Sequence, residues 1–147
     1  MSRTSMLLVE DNPNDEKLTV LALKESSVVN DIVVARDGAE ALDYLFGSGK
    51  YEGRDTSIMP VIVLLDLKLP KVDGLDVLRR IRSDERTKCL PVVVLTTSTE
   101  DKDIAESYHL GANSYVCKPV DFNEFMTAAK QLGLYWMLLN ESPITRS

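Results

Sequence analysis

The sequence lacks any hydrophobic run long enough to cross a membrane. Its longest uninterrupted apolar stretch covers residues 59–65, whereas a membrane-spanning helix needs roughly 20 residues. Residues 1–5 also lack the apolar core and the small-residue cleavage site of a signal peptide. We therefore expect a cytoplasmic protein that has no membrane segment.

Cysteine is scarce, with Cys89 and Cys117 as the two examples in 147 residues. Their spacing is not that of a metal-binding motif. Two reduced thiols in a cytosolic protein are the favoured interpretation, and a disulfide between them is the alternative.

Positive charge is also in short supply. Seventeen Lys and Arg residues stand against twenty-three Asp and Glu residues, which gives a net charge of −6. An acidic chain gains no long-range attraction to phosphate backbones, so nucleic-acid binding by this chain alone is not expected. The length of 147 residues and the hydrophobic fraction of 44% fit one domain.

Five short segments are apolar and rich in β-branched residues, which predicts β-strands. Their hydrophobicity is continuous rather than alternating, and this pattern is typical of a parallel sheet that is buried on both faces. The five predicted strands cover residues 6–9, 31–35, 60–65, 91–95 and 114–117.

The segments between these strands carry helical periodicity and signals for a helix start. The first helix is predicted after Asn12, an N-cap residue, with Leu18, Leu21 and Ala22 sharing one face. The other helices are predicted to begin after Asp37, where Glu40 would close a capping box, after the turn at 72–74, near Ser98 or Thr99 with an end at Gly111, and at Asp121.

Strands and helices therefore alternate five times, which predicts an α/β fold. Right-handed crossovers fold such a chain into a doubly wound sandwich of three layers. We expect one domain over residues 1–140, with an extended C-terminal helix, and a loose tail at 141–147. Residues 47–57 are polar and predict a surface loop.

Polar residues follow four of the predicted strands. Ligands in doubly wound sheets bind outside the carboxyl ends of the strands, so these side chains should converge there. They are Glu10 and Asp11 after the first strand, Asp66 after the third, Thr96 after the fourth and Lys118 after the fifth.

Clustered carboxylates need a hard cation with a preference for oxygen ligands, and Mg²⁺ suits this role. Asp66 follows the central strand alone and is ionised at neutral pH, so it is the best candidate for a nucleophile that attacks phosphorus. Lys118 and the Thr96 hydroxyl could then stabilise charge on the phosphoryl oxygens.

The sequence resembles the receiver domain of two-component response regulators. The matching segments are 7–12, 64–70, 73–74, 91–97, 111–112 and 115–119, and they cover nearly the whole chain in order. The resemblance implies a flavodoxin-like sheet of order 2-1-3-4-5, bound Mg²⁺ or Mn²⁺, and phosphorylation by a sensor histidine kinase.

The resemblance also implies a role for individual residues. The phosphoacceptor would be Asp66, the metal ligands Glu10, Asp11, Asp66 and the backbone carbonyl of Lys68, the phosphoryl contacts Thr96 and Lys118, and the switch residues Thr96 and Tyr115. Phosphorylation would then change the surface formed by the fourth helix, the fifth strand and the fifth helix.

Three regions narrow the resemblance to single-domain regulators that are paired with bacterial phytochrome histidine kinases. They are residues 92–98, the long loop before the third strand and the aromatic end of the last helix. Two features depart from a common receiver pattern. The acidic pair is Glu-Asp rather than Asp-Asp, and Lys68 places a cation two residues after Asp66.

The end of the last helix is apolar on more than one face, which is unusual for a surface helix. A large apolar patch often marks an interface, so we expect a homodimer with Tyr135, Trp136 and Leu139 as interface candidates. The alternative is that some of these residues cover the core beneath the first helix.

Three other functions compete with signalling by phosphorylation. A Mg²⁺-dependent phosphohydrolase would need a general acid or base, but the single histidine, His109, is predicted at the end of the fourth helix, away from the site. A degenerate receiver would act as a binding module alone. A flavin carrier would need a phosphate-binding loop where Glu10 and Asp11 stand. We therefore expect a phosphoacceptor rather than an enzyme.

Overall fold

The computed structural model describes residues 5–25, 31–97, 100–118 and 123. Strands and helices alternate within these ranges, as the sequence predicts. They are β1 (Ser5–Val9), α1 (Pro13–Glu25), β2 (Asp31–Ala35), α2 (Gly38–Phe46), β3 (Ile62–Leu65), α3 (Gly74–Ser83), β4 (Val92–Thr96), α4 (Asp101–His109) and β5 (Ser114–Cys117).

Part of the sequence prediction lies outside the described residues. This applies to the opening of α4 at Ser98 or Thr99, to the C-terminal tail and, apart from Asn123, to the fifth helix that would begin at Asp121. The longest described helix, α1, has 13 residues. Within the described ranges, none of the helices combines the length and the apolar character that crossing a bilayer requires.

The five strands form one parallel sheet in the order β2-β1-β3-β4-β5, which confirms the predicted fold class and strand order. Side chains alternate between its two faces. Met6, Leu8, Ile62 and Leu64 pack with Leu23 of α1 on one face. Leu7, Val9, Val63 and Leu65 pack on the other face with apolar residues of α2 and α3, which include Leu45 and Leu78.

Helix caps place the first residues of α1 and α2. The Oδ1 atom of Asn12 accepts hydrogen bonds from the amides of Asn14, at 2.9 Å, and Asp15, at 3.0 Å. The Oδ1 atom of Asp37 accepts from the amide of Glu40 at 2.7 Å. The return bond of the predicted capping box differs, because Glu40 Oε1 accepts from the amide of Arg36 at 2.9 Å rather than from that of Asp37.

The predicted apolar face of α1 is wrong. Leu18 is 58% exposed and Leu21 is 51% exposed, whereas Thr19 and Leu23 are buried. Because α1 carries apolar residues on several sides, its sequence fits more than one orientation. The buried side of α1 carries Thr19 and Leu23, which are four residues apart, and Leu23 joins the core.

The polar loop between α2 and β3 contains a 3₁₀ helix at Gly49–Tyr51. Arg54 ties this loop to the end of α2. Its Nε atom donates to the carbonyl oxygen of Tyr44 at 2.5 Å, and its guanidinium carbon lies 4.2 Å from the centre of the Tyr44 ring. The loop is therefore held against α2 by a cation on an aromatic ring and by hydrogen bonds to the helix end.

Candidate functional site

The sheet brings the ends of β1 and β3 together. The amide of Asp66 donates to the carbonyl of Val9 at 3.1 Å, and the amide of Glu10 donates to the carbonyl of Ala35 at 2.9 Å. Asp66 and Glu10 therefore follow neighbouring strands at the same edge of the sheet, where the sequence places them.

Lys118 connects these two acidic residues. Its Nζ atom lies 2.9 Å from Asp66 Oδ2 and 2.5 Å from Glu10 Oε1. The Lys118 side chain is 7% exposed and that of Asp66 is 9% exposed. The fifth strand thus delivers an ammonium group into contact with the acidic residues that follow the first and third strands.

Asp15 is a site residue that the sequence analysis missed. Its Oδ2 atom lies 3.0 Å from Lys118 Nζ, and its side chain is about one-third exposed. Asp15 is one of two acidic residues in the first turn of α1, where the helix dipole favours a negative charge. This position explains an acidic residue without any role in the site. Only its position one helical turn after the acidic pair could have suggested a further role.

Asp11 completes a cluster that could hold a metal ion. Glu10, Asp11 and Asp66 each offer a carboxylate oxygen, and these oxygens lie within 4.8 Å of one another. Glu10 and Asp66 are buried, whereas Asp11 is exposed, so the cluster reaches solvent on one side. Several carboxylate oxygens with a solvent-exposed side match the preference of Mg²⁺, which retains waters when it binds protein.

The loop after β3 is fixed by contacts with two helices. The amide of Gly74, at the start of α3, donates to the carbonyl of Leu67 at 2.9 Å. The amide of Gly38, at the start of α2, donates to the carbonyl of Pro70 at 3.2 Å. Lys68 lies between these anchors, and its amide donates to Asp66 Oδ1 at 3.4 Å.

Gly38 has no room for a side chain. A Cβ atom at this position would lie 1.9 Å from the carbonyl oxygen of Val72. Lys71, between Pro70 and Val72, adopts a left-handed conformation with φ of 67°, which is uncommon for a residue other than glycine. Its Nζ atom lies 3.5 Å from Asp37 Oδ2, so the loop is held to the start of α2 by charge as well.

Burial has the largest effect on the pKa of Glu10. Removal from water raises its pKa from 4.5 to about 7, and the nearby charge of Asp66 adds to this effect, while hydrogen bonds from Lys118 and the Asn12 amide oppose it. Burial would lower the pKa of Lys118, but its hydrogen bonds to Glu10, Asp66 and Asp15 outweigh burial and raise that pKa.

Thr96 lies on β4, the strand next to β3, and Tyr115 lies on β5, at the edge of the sheet. Thr96 is buried at the end of β4, and its carbonyl accepts a hydrogen bond from the amide of Lys118 at 2.8 Å. Tyr115 is half-buried in β5 and packs on the face of the sheet that carries α2 and α3. The backbones of Thr96 and Lys118 are therefore adjacent.

Other candidates lie away from this cluster or outside the described residues. His109 ends α4 and is exposed. Cys89 is exposed and Cys117 is half-buried, both as thiols. The interface candidates Tyr135, Trp136 and Leu139 fall outside the described residues.

Among the residues that the structure describes, the charges at this edge of the sheet do not balance. One ammonium, on Lys118, faces the carboxyl groups of Glu10, Asp15 and Asp66, with Asp11 at the exposed side. A divalent cation would offset this excess and leave coordination positions for water or for phosphate oxygens. The site can thus combine a metal, a carboxylate nucleophile and a buried cation.

A parallel sheet of this order, with an acidic cluster and a buried lysine at its carboxyl edge, is typical of one class of signalling protein. Residues 6–130 match the family model of the response regulator receiver domain. The chain belongs to this family, whose members act in two-component phosphorelays, and this confirms the family predicted from the sequence.

The chain is similar to several response regulators of known structure. The chain is 51% identical to the structure of the bacteriophytochrome response regulator AtBRR, with a TM-score of 0.85 and coverage of 96% of this chain and 100% of the other. It is 35% identical to the Mn²⁺-bound form of the response regulator Rcp1, with a TM-score of 0.75 and coverage of 95% and 99%. Rcp1 is a protein of Synechocystis sp..

A further relative is a regulatory protein of another organism. The chain is 44% identical to the probable methanogenesis regulatory protein FilR2 of Methanothrix harundinacea, over 94% of this chain and 86% of the relative. The chain is therefore similar over nearly its full length both to phytochrome response regulators and to FilR2.

Proposed function

We propose that this receiver domain accepts a phosphoryl group on Asp66. The observation that carries the proposal is the 2.9 Å contact between Asp66 Oδ2 and Lys118 Nζ, beside the carboxylates of Glu10 and Asp11. This geometry provides a nucleophile, a cation for the phosphoryl oxygens and a place for a metal. The alternatives of a degenerate binding module and of a phosphohydrolase use less of this arrangement.

The carboxylates of Glu10, Asp11 and Asp66 would hold the metal, together with the backbone carbonyl of Lys68. Mg²⁺ is the proposed ion and Mn²⁺ is an alternative, which the Mn²⁺-bound form of Rcp1 supports. When bound, the ion supplies positive charge that offsets the carboxylates and the incoming phosphoryl oxygens.

Asp66 would act as the nucleophile of the transfer. One of its carboxylate oxygens forms a bond to phosphorus, while the bond between phosphorus and the nitrogen of a kinase phosphohistidine breaks and the electron pair leaves with the imidazole. The product is an acyl phosphate on Asp66. Lys118 donates to a phosphoryl oxygen, and the hydroxyl of Thr96 provides a second donor.

The signal would leave the site through Thr96 and Tyr115. Because Thr96 borders Lys118, and Lys118 directly follows β5, which carries Tyr115, a new anion on Asp66 can change the position of both switch residues. The surface of α4, β5 and the predicted fifth helix is then the proposed output. A change of surface, rather than turnover of a substrate, is the expected activity.

The proposed partner is a sensor histidine kinase, and a bacterial phytochrome is the narrower proposal. The similarity to AtBRR supports it, because that protein is a bacteriophytochrome response regulator. Phosphotransfer from each histidine kinase of the same genome, with purified kinase domains, would test the pairing. Fast transfer from a kinase other than a phytochrome, with none from a phytochrome, would contradict the narrower proposal.

We also propose a homodimer through Tyr135, Trp136 and Leu139 and a location in the cytoplasm. The apolar sequence at the end of the last predicted helix supports the dimer. Light scattering at several concentrations, with and without phosphorylation, should give twice the monomer mass. A monomer throughout would remove the dimer from the proposal.

The acceptor is tested by incubation with acetyl phosphate and Mg²⁺, followed by intact-mass and peptide mass spectrometry. We expect one phosphoryl group on wild-type protein and on Asp76→Asn, which removes an exposed aspartate that pairs with Arg79. Asp66→Asn should gain none, and Asp11→Asn or excess EDTA should slow the wild-type reaction strongly. A phosphoryl group on Asp66→Asn would refute the acceptor assignment.

The same samples distinguish a phosphoacceptor from a phosphohydrolase. A phosphoacceptor releases phosphate no faster than its own acyl phosphate decays. Continuous release from a simple phosphate ester, many times per protein molecule, would favour the enzyme alternative. His109 is exposed at the end of α4, so its replacement with Gln serves as a control that should not change either reaction.

A further inference from the structure

Asp15 contacts Lys118, yet it does not belong to the residues that follow the strand ends. It lies in the first turn of α1, and its Oδ2 atom accepts a hydrogen bond from Lys118 Nζ at 3.0 Å. We propose that Asp15 is a positioning residue, which holds Lys118 in place for phosphotransfer to Asp66. This inference rests on the proposed function of Asp66 as the phosphoacceptor.

The number of carboxylate groups around Lys118 equals the number of its N–H donors. A lysine ammonium carries three N–H donors and has no acceptor. Three carboxylates lie around it, those of Glu10 at 2.5 Å, Asp66 at 2.9 Å and Asp15 at 3.0 Å. Because the Lys118 side chain is 7% exposed, bulk water is poorly placed to replace a carboxylate that is removed.

Two of these three carboxylates have another part in the reaction. Asp66 loses its carboxylate charge when one of its oxygens bonds to phosphorus, and Glu10 belongs to the cluster that could hold a metal. Asp15 takes part neither in the bond to phosphorus nor in the metal cluster. It can therefore hold the ammonium near Asp66 while Lys118 exchanges the Asp66 carboxylate for a phosphoryl oxygen.

Hydrogen bonds within residues 10–15 hold the backbone of Asp15 independently of Lys118. The side chain of Asn12 accepts a hydrogen bond from the amide of Asp15 at 3.0 Å, and the amide of Asn12 donates to Glu10 Oε2 at 3.2 Å. Pro13 begins the helix between them, with a backbone angle suited to a first turn. Residues 10–15 are thus linked by hydrogen bonds, and this segment positions Glu10 and Asp15, two of the three acceptors of Lys118.

Glu16 offers a matched control. It lies beside Asp15 in the same helical turn and carries the same charge, but its Oε2 atom pairs with Arg36 at 3.0 Å. A loss of helix-dipole stabilisation or of general negative charge would affect the Asp15 and Glu16 variants alike. A loss of lysine positioning would affect the Asp15 variants alone.

The experiment measures the rate of phosphorylation of the full chain by acetyl phosphate at saturating Mg²⁺. Asp15→Ala should lower this rate about tenfold, as expected for one charge-assisted hydrogen bond, and Asp15→Asn should lower it less. Asp15→Glu keeps the carboxylate and should restore most of the rate. Glu16→Gln should react at the wild-type rate.

A double-mutant cycle separates positioning from a structural role. If Asp15 acts through Lys118, Asp15→Ala should have no further effect on the rate once Lys118→Ala is present. Equal losses in both backgrounds, or a wild-type or faster rate for Asp15→Ala, would overturn the inference. Absence of phosphorylation at Asp66 in the wild-type protein would instead overturn the proposed function.

Discussion

A Cβ atom on Gly74 would lie 2.2 Å from the carbonyl oxygen of Asp66. Gly74 begins α3, and its amide donates to the carbonyl of Leu67 at 2.9 Å. The helix start is therefore packed directly on the backbone of the proposed acceptor. The missing side chain, rather than an unusual backbone angle, allows this close approach.

Gly74→Ala should damage both the fold and the site. The added methyl group has to separate α3 from residues 66–68, which costs about 1–3 kcal/mol of unfolding free energy by overpacking. Because the carbonyl of Lys68 moves with this segment, phosphorylation by acetyl phosphate should also require more Mg²⁺. Urea unfolding and a Mg²⁺ titration of the phosphorylation rate provide the two measurements.

Gly53→Ala is the comparison for Gly74. Space is open around Gly53, with no atom within 4 Å of an added Cβ, although its φ is 91°. The left-handed backbone should cost about 1–2 kcal/mol, with no change in the Mg²⁺ requirement. If Gly74→Ala also leaves that requirement unchanged, contact between α3 and Asp66 does not position the site.

The raised pKa of Glu10 should make the metal-free protein less stable as pH rises. Its carboxyl has a pKa of about 7 in the folded chain and an ordinary value of 4.5 when unfolded. Between these values the folded state binds more protons than the unfolded state. The free energy of unfolding should therefore fall from pH 4.5 to pH 7, by about 3 kcal/mol at most from this group.

Glu10→Gln isolates this contribution. Urea unfolding in EDTA at pH 5 and at pH 8 should show a smaller pH-dependent loss of stability for this variant than for wild type. Glu52→Gln, which removes an exposed acid, should retain the wild-type difference. Parallel pH profiles for wild type and Glu10→Gln would show that Glu10 does not titrate in this range.

Much of the site follows from the sequence because strands end at a defined edge. Continuous apolar segments fix the positions of β1, β3 and β5, and the next residues along the chain are Glu10, Asp66 and Lys118. Their convergence needs only the parallel order of the sheet. The contact of Asp15 with Lys118 joins residues 103 positions apart, and it depends on the rotation of α1, which the sequence does not define.

The same uncertainty in rotation led to the wrong face of α1. Residues 18–23 are apolar except for Thr19, so several helical stripes satisfy an apolar period of three to four residues. Burial of Thr19 and exposure of Leu18 oppose simple hydrophobic ranking. Close packing against Met6 and Leu8 of β1 selects the side with Leu23, and such shape complementarity is not visible in a periodic pattern.

Alanine substitutions in α1 should separate the two faces. Leu23→Ala should lower the free energy of unfolding by about 2–5 kcal/mol, because it leaves a cavity in the core. Leu18→Ala should lower it by less than about 1 kcal/mol, since its side chain is already half in water. Urea unfolding of the two variants checks this difference, and equal losses would mean that α1 is rotated from the described orientation.

Arg82 should stabilise the segment that joins α4 to β5. Its Nε and Nη2 atoms donate to the carbonyl of Gly111 at 3.0 and 2.8 Å, and its Nη1 atom donates to the carbonyl of Leu90 at 2.7 Å. Nη2 also donates to Asn113 Oδ1 at 2.9 Å. Burial lowers the pKa of Arg82, yet a guanidinium remains charged at neutral pH. The planar guanidinium group of Arg82 thus links α3 to the residues just before β4 and β5.

Arg82→Lys should show that this link depends on shape rather than on charge. A lysine ammonium cannot donate in the same plane to carbonyls on two loops, so two or more carbonyls lose a partner, and stability should fall by about 2 kcal/mol. Arg79→Lys, on the same helix and paired with Asp76 at the surface, should cost less than about 0.5 kcal/mol. Urea unfolding compares the two variants at equal charge. Equal stabilities would mean that the bonds to Gly111 and Leu90 are exchanged for water without loss, and that Arg82 does not stabilise this segment.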